Sequence, residues 1–558
     1  MINLIKEKIR DAVEAKYNVK VNVEEPKDLK MGDLAVPVFP IVKLLRKPLP
    51  EVAKNVADLI KTSVSEVKEV RVIGGFVNLV LSKEEMSKDI ILDILSKGPN
   101  YASEKDKGET ICLDYSSPNI AKSFSIGHLR STIIGNSLKL IYQKLGYKTV
   151  SINYLGDWGT QFGKMIVAYL KWGDKEKIKK DPINEMTNLY VRFHEEAKKD
   201  ESLNEEARIA FRQCELGDPK YLELWSYIRE ESLKESAQIY DLLGVTFDSY
   251  NGEAFYNDKM DGVVQELEDK KLVELDDKAL IVRFKDMPPA LIKRSDGGSL
   301  YMTRDLAALF YRKKEYNFNK ILYVVGNEQK LHFDQIKEIV KMMGYDFADD
   351  IYHVGFGLYL YHGKKMSTRS GGVVKLYDVL MKAISLAKAE VLEKNKDLKD
   401  KDEVAKKIGL ASVIYNDLKN HRELDIEFDL DSCVKFEGNT GPYILYSGVR
   451  IASILKDKEI DLTNLDLSLF NKDIYYEIIR LLANFSVIIN KAKDEFAPSH
   501  IAKYLYTLAT TFNKFYAQEK INCEDDKIRN TNLALIKAIR IIINEGLRLL
   551  GIAYVDEM

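Results

Sequence analysis

Cysteine is scarce. The 558 residues contain four, Cys112, Cys214, Cys433 and Cys523, and none forms a C-x-x-C pair. This argues against a disulfide framework and a Cys-based zinc site, and it fits a reducing compartment. With 31 glycines and 13 prolines, the chain is neither collagen-like nor dominated by linkers. No charge sign prevails: 84 Lys+Arg face 86 Asp+Glu, a net charge of −2. That excludes a uniformly basic, histone-like binder but leaves room for a local basic face. No run free of Asp, Glu, Lys and Arg reaches the roughly 18 residues of a membrane span. The longest, Ile351–Gly363, includes two histidines and three glycines. The N-terminus begins directly as charged amphipathic helix without an apolar signal core. These absences predict a soluble, cytoplasmic protein with no membrane partner.

The composition, 46% hydrophobic and 30% charged, is that of a globular chain with length for three to four domains. Residues 1–108 read as a small α+β module. Ile2, Ile5, Ile9 and Val13 recur at helical spacing, a helical run follows around Val52–Val64, and Val70–Leu81 reads as two β-rich pieces around Gly74-Gly75. From Glu109 strands and helices alternate: Thr110–Ser116, His128–Leu145, Lys148–Tyr154, Phe162–Trp172. The alternation resumes with Ile321–Val325, Gln329–Met343 and Ile351–Gly357. This predicts a parallel, Rossmann-type α/β sheet over 109–375, split by an insertion at about 175–293 of charged helix with a β-rich end. Over 376–558 strand signals nearly vanish. Helical patterns at Lys382–Lys394, Val404–Leu418, Thr440–Leu455, Tyr475–Ala492, Ala502–Phe515 and Asn532–Leu549 predict an all-α helical bundle.

Two short segments carry chemistry. Ser125-Ile-Gly-His-Leu-Arg130 follows the first strand of the split sheet and opens a helix. Ligands of such sheets bind beyond the carboxyl ends of the strands, and a helix N-terminus there offers N–H groups to phosphate. Gly127 permits close approach, and His128 can donate to phosphate oxygens as charge develops. Gly363-Lys-Lys-Met-Ser-Thr-Arg-Ser-Gly-Gly372 follows the last strand and is small and cationic. Its position puts it at the same edge of the sheet, as the second half of a clamp on a triphosphate.

This pair resembles the HIGH and KMSKS signatures of class I aminoacyl-tRNA synthetases. The flanking segments Ser116–Lys122 (SSPNIAK), Gly156–Gly163 (GDWGTQFG), Leu300–Asp305 (LYMTRD), Val325–Phe333 (VGNEQKLHF) and Phe436–Tyr443 (FEGNTGPY) are similar to arginyl-tRNA synthetases, in that family's order along the chain. Two positions depart from the signatures. Ser125 stands where HIGH begins with His, and Thr368 where KMSKS usually has its second Lys. Lys365 is kept, and Arg369 and Lys122 can supply the missing charge.

The resemblance implies an ATP-dependent arginine–tRNA ligase. It would form arginyl-adenylate and pass the arginine to the 3′ end of tRNA(Arg), releasing AMP and diphosphate. ATP is the expected nucleotide, bringing Mg²⁺ with it; no carboxylate cluster demands a permanent metal. Ser125, Gly127, His128 and Lys122 are expected at ATP, together with Lys365, Met366, Ser367, Thr368 and Arg369. A guanidinium needs planar anionic partners. Tyr301 and Asp305 lie four apart on one helix face, and the resemblance places both on it. By resemblance Asp114 is an acidic pocket residue, and Asn119 and Gln329 hold the amino acid's α-groups. His332, Asp157 and Gln161 are candidates for the same cleft. The remaining histidines (194, 353, 362, 421 and 500) show no ligand spacing and read as structural.

An insertion of about 120 residues is too short to contain an editing domain. A charged fork needs none, whereas apolar substrates differing by a methylene do. The helical end mixes aromatics with cations, which suits RNA bases and phosphates, and the resemblance assigns it to the anticodon arm. Tyr443, Tyr446, Tyr516 and Met558 are the expected tRNA contacts there, and the N-terminal module is expected at the tRNA's outer corner. No dimer-forming heptad is evident, so a monomer is expected. Two alternatives remain at this stage: a non-catalytic tRNA-binding paralogue, suggested by the altered signatures, and a nucleotidyltransferase acting on a small metabolite.

Overall fold

The computed structural model describes residues 2–26, 31–120, 124–294, 301–361, 364–365 and 374–558. They form two compact units. The first comprises Met1–Ala102, Ser447–Ile488 and Tyr504–Glu545, and the second Ser103–Tyr446, Ile489–Lys503 and Gly546–Met558.

In the first unit, helix Ile2–Tyr17 buries the stripe Ile5, Ile9 and Val13. Helix Leu49–Ser63 buries Val52, Val56 and Ile60 against it. A three-stranded antiparallel sheet completes this part: Leu34–Pro37 (β1), Val67–Ile73 (β2) and Phe76–Leu81 (β3), in the order β1-β3-β2. Gly74, at φ +60°, makes the turn of the β2–β3 hairpin. Pro37 lies on an edge strand, where its missing N–H breaks no second ladder. The helical pattern expected at Tyr475–Ala492 is two helices, Asp473–Ala483 and Phe485–Asp494. At Asn484 the backbone N–H is shared between the carbonyls of Arg480 and Leu481, which tightens the turn and interrupts the helix.

The second unit is organised by a parallel sheet. Its first strands are Thr110–Asp114 (β4) and Lys148–Ile152 (β5). Four helices follow between Lys175 and Leu243. Then comes a small antiparallel sheet of Glu274–Asp276 (β6), Ala279–Val282 (β7) and Ala290–Lys293 (β8). The main sheet resumes with Lys320–Tyr323 (β9) and Ile351–His353 (β10), giving the order β10-β9-β4-β5, every pairing parallel. The register aligns Asp114 with Ile152 on one side and Tyr323 on the other, and Tyr323 with His353. These carboxyl ends form one row, the edge where such sheets bind ligands. An apolar core including Cys112, Ile152, Leu306, Ile321 and Ile336 lies against the sheet.

Helices Leu376–Lys394 and Lys401–Leu418 belong to this unit as well. A short strand occurs where helix alone was expected: Ile426–Glu427 pairs in parallel with Tyr359–Leu360. Two residues are too few to leave a periodic signal. No helix among the described residues is long and apolar enough to cross a membrane.

Candidate active site

The site begins where β4 ends. Ser116 and Ser117 both have left-handed backbones, at φ +71° and +45°. Such conformations are costly for non-glycine residues and persist only when their surroundings impose them. Here the Ser116 N–H donates to Ser131 Oγ at 2.8 Å, and Ser116 Oγ lies 2.7 Å from the Tyr240 hydroxyl. The Ser117 N–H donates to the Asn153 side chain at 3.2 Å. Tyr240 ends a helix of the insertion, Pro219–Leu243, so the insertion braces the sheet edge.

The next turn, Ile126–His128, opens helix Leu129–Lys144. The Ser125 backbone N–H donates to His128 Nδ1 at 3.1 Å, with Ser125 Oγ 3.2 Å from the same nitrogen. An N–H donor fixes Nδ1 as acceptor, so the ring proton sits on Nε2. Ser125 thereby sets the tautomer of its neighbour. Among the described residues a Cβ at Gly127 would meet only Ser125 Oγ, at 3.5 Å. Packing against those residues therefore does not demand glycine there. One turn on, Arg130 is buried against Asp417 at 3.1 Å and donates to the carbonyls of Leu424 and Arg422.

The second signature is anchored at both ends. Lys364–Lys365 pairs with Leu360–Tyr361. At its far end, Ser125 and Lys375 form an antiparallel bridge, the Ile126 N–H donates to the Val374 carbonyl, and the Leu376 N–H to that of Phe124. The chain leaving the cationic segment is thus stitched to the HIGH-like turn. Lys375 Nζ donates to Asn184, and the Glu235 carboxylate accepts from the Phe124 N–H beside Lys375. Burial pushes Glu235 up to about 7, with Lys375 pulling it back. Lys122, His362 and Met366, Ser367, Thr368 and Arg369 lie outside the described residues.

Helix Tyr301–Tyr316 carries Tyr301, exposed at its start, and Asp305 one turn later. Asp305 is not open on all sides, because His332 Nε2 lies 2.7 Å from its Oδ2. Asp114 is more committed. Its Oδ2 is 2.8 Å from Arg312 of the same helix, and its Oδ1 accepts from Ser117 Oγ. Glu253 is nearby and mostly covered, its side chain 12% exposed, 3.8 Å from Arg304. Burial pushes Glu253 up to about 8; Arg304 opposes the shift, and Asp305 and Asp157 add to it. Asn119 is exposed at the edge, its backbone bridged to Gly156; a Cβ at Gly156 would lie 2.4 Å from Asn119 Oδ1. Gln329 is exposed at the end of the turn Asn327–Gln329.

Asp157 is taken up structurally. It is buried, receives Arg229 Nε at 2.8 Å and the Ala254 N–H at 2.9 Å, and leaves no room for a Cβ at Gly252. Gln161 turns back to the Gly156 carbonyl. His353 stacks on Phe333 and contacts the Gly326 carbonyl. Among the described residues no group of three His, Cys, Asp or Glu side chains is placed to hold a metal. Arg312 and Glu253 were not singled out from sequence. Arg312 opens the run Arg-Lys-Lys-Glu, which reads as a solvated helix end, and Glu253 has no patterned neighbours.

In the helical end, Phe512 and Phe515 are core residues. Tyr516 is exposed, with the Arg450 guanidinium 4.9 Å from its ring centre and held by Asn513. Tyr443 is half-buried and Tyr446 exposed. The Met558 carbonyl accepts from Asn395.

Three family models match in chain order. "Arginyl tRNA synthetase N terminal domain" covers residues 1–81, "tRNA synthetases class I (R), catalytic domain" covers 90–430, and "DALR anticodon binding domain" covers 444–558. The chain is 47% identical to the arginine–tRNA ligase of Ligilactobacillus salivarius, over 99% of this chain and 98% of that one. It is 46% identical to that of an Exiguobacterium species, over 97% and 96%. The crystal structure of arginyl-tRNA synthetase from Plasmodium falciparum superposes with a TM-score of 0.74 at 25% identity, covering 100% and 99% of the two chains. That of Thermus thermophilus gives 0.73 at 22% identity over the full length of both, a likeness of fold.

Proposed function

The chain belongs to the arginyl-tRNA synthetase family, and on that premise we propose how its residues divide the work of an arginine–tRNA ligase. The observation that carries the activity is a 47% identity running through nearly the whole chain. The enzyme couples L-arginine to tRNA(Arg) with ATP as the energy source.

In the first step the arginine carboxylate attacks the α-phosphate of ATP in line, and pyrophosphate leaves. In the second the terminal ribose of tRNA attacks the arginyl carbonyl, and AMP leaves. His128 donates from Nε2 to phosphate oxygen as charge builds; its support is the tautomer fixed through Nδ1. Ser125 takes over the positioning side of the signature's first histidine. Gly127 lies against the nucleotide. Lys365, Met366, Ser367, Thr368, Arg369 and Lys122 complete the triphosphate clamp, favoured by the stitching of Val374–Leu376 onto the HIGH-like turn. Mg²⁺ enters with ATP as part of the substrate and neutralises the departing pyrophosphate.

Asp305 and Tyr301 read the guanidinium, with Asp114 behind them. Asn119 and Gln329 hold the α-groups; their exposure at the carboxyl edge suits that task. Tyr443, Tyr446, Tyr516 and Met558 meet the anticodon arm, and residues 1–108 meet the outer corner of the tRNA. The exposed ring of Tyr516, backed by Arg450, is a stacking platform. A monomer in the cytoplasm is the reading the sequence favours, with no dimer-forming heptad and only four cysteines in 558 residues.

Binding of tRNA drives closure of the clamp. It does so only by favouring the closed arrangement over the open one. The test is pyrophosphate exchange with arginine, with and without tRNA(Arg). Exchange that appears only with tRNA supports the coupling, and brisk exchange without it removes the coupling. Charging with lysine or citrulline as efficient as with arginine would overturn the substrate assignment.

A further inference from the structure

Asp114 stands at the carboxyl edge of the sheet, where a pocket carboxylate would face substrate, yet it already has a cation. Arg312 Nη1 is 2.8 Å from its Oδ2, with the two side chains 1% and 3% exposed. Three tyrosines surround this guanidinium. Its central carbon lies 5.0 Å from the ring centre of Tyr154, 5.7 Å from Tyr323 and 6.0 Å from Tyr256. Nη1 also reaches the Tyr323 hydroxyl at 3.4 Å, while Nε and Nη2 make no close hydrogen bond among the described residues. Attraction to the ring faces compensates only in part for those N–H groups. Well-packed apolar side chains would often serve stability as well as such a pair does. The arrangement makes better sense as a device for position.

We infer that Arg312 is a positioning residue of the arginine site: a resident guanidinium that holds Asp114 in one orientation, so that the same carboxylate accepts the substrate's guanidinium as a second partner. The inference rests on the arginine-site reading above and adds Arg312 to it. A carboxylate offers about four lone-pair sites. Arg312 engages one oxygen and the Ser117 hydroxyl the other, which leaves lone pairs that a second cation reaches only at the narrow face by which this side chain is 3% exposed. The Asp114 carboxyl lies above the ordinary carboxylate range: burial raises it, and Arg312, then Ser117, offset part of the rise. Asp305, on Arg312's own helix, pushes it up further. Among the described residues the other titratable groups facing the pair are the phenols of Tyr154, Tyr256 and Tyr323 and the Cys112 thiol. Burial raises all four, so they stay neutral near pH 7.

The experiment compares Arg312→Lys, Arg312→Met, Asp114→Asn and the double variant Arg312→Lys/Asp114→Asn in tRNA-dependent pyrophosphate exchange. Lysine keeps the charge but lacks the fork. Arg312→Lys is expected to raise the arginine KM about tenfold while the ATP KM and kcat stay within about twofold. In the Asp114→Asn background the same change adds nothing further, because the two residues act as one unit. In Arg312→Met, kcat/KM for arginine gains a limb that rises with pH, as the unpaired Asp114 must be deprotonated to accept. Equal changes in both KM values, additivity with Asp114→Asn, or an unchanged arginine KM in Arg312→Lys would overturn the inference. The Lys variant and the double variant decide it without the Met variant, which strips a buried charge of its partner. Failure of the site reading itself registers elsewhere, in an arginine KM indifferent to Asp305→Asn.

Discussion

Asp305 and His332 reach each other from two different helices, the imidazole Nε2 lying 2.7 Å from one carboxylate oxygen. Both side chains remain about one-fifth exposed. The contact steers the carboxylate and engages one oxygen; on the proposed reading the other accepts the substrate's guanidinium. Asp305→Asn keeps the shape and removes the charge. Truncating one member of a desolvated charge pair costs about 2–5 kcal/mol. The arginine KM should therefore rise by about 30-fold or more, with the ATP KM little changed, as measured in tRNA-dependent exchange. An unchanged arginine KM would reduce Asp305 to a residue of the helix start.

Ser125 contacts His128 Nδ1 twice, through its backbone N–H and near its hydroxyl. Ser125→Ala keeps the backbone donor and removes the hydroxyl, with its contact to Nδ1 and its capping of the His128 N–H, together worth about 0.5–1.5 kcal/mol. The rate of adenylate formation should fall by about two- to tenfold, with arginine affinity unaffected. Single-turnover kinetics would measure it. A loss of several hundredfold would mean that the hydroxyl itself touches the reacting phosphates.

The Glu253 carboxyl is mostly covered, and desolvation pushes it up to about 8 against an ordinary 4.5. Between those values the folded chain holds a proton that the unfolded chain gives up. Stability therefore falls as pH rises across this window, and the loss is complete above pH 8. Glu253→Gln removes the titrating group. The variant should be more stable than the parent above pH 8, by on the order of a few kcal/mol, and the gap should close toward pH 4.5. Thermal melts at several pH values test this, and a gap independent of pH would exclude the carboxyl's charge as its cause.

Arg130 and Asp417 are paired 3.1 Å apart, with side chains 1% and 2% exposed. Arg130→Met should cost about 3–5 kcal/mol, because it leaves a buried carboxylate without its cation. Adding Asp417→Leu should restore most of that loss. Urea denaturation of the three proteins checks both statements. Equal stability of the single and double variants would contradict them.

The central sheet was legible because its strands are short apolar runs at crossover spacing, and the helix Ile2–Tyr17 because its buried stripe repeats every four residues. What escaped notice lacked periodicity. Ile426–Glu427 is too short to alternate, and Asn484 interrupts a helix through a shared hydrogen bond that composition does not encode. At the site, Ser125, His128, Asp305 and Asp114 could be named from sequence, since chemistry and order along the chain mark them. Their partners could not. The pairing of Asp305 with His332 and of Asp114 with Arg312 depends on how helices roll against the sheet, and Arg312 hides at the head of a basic run typical of helix ends.

The strand order also bears on how the protein is made. β4 is flanked by β5 on one side and by β9 on the other, and β9 arrives about 200 residues later. A ribosome adding roughly 5–20 residues per second needs on the order of 10–40 s to span that gap. Throughout that interval the unpaired side of β4 is a bare hydrogen-bonding edge on a nascent chain, open to pairing with the wrong strand. The helices of the insertion emerge during the same interval, and Tyr240 among them joins Ser131 and Asn153 in bracing the turn beyond β4 before β9 is made. Slowing translation across residues 175–320 lengthens the life of the open edge and is expected to lower the yield of folded chain.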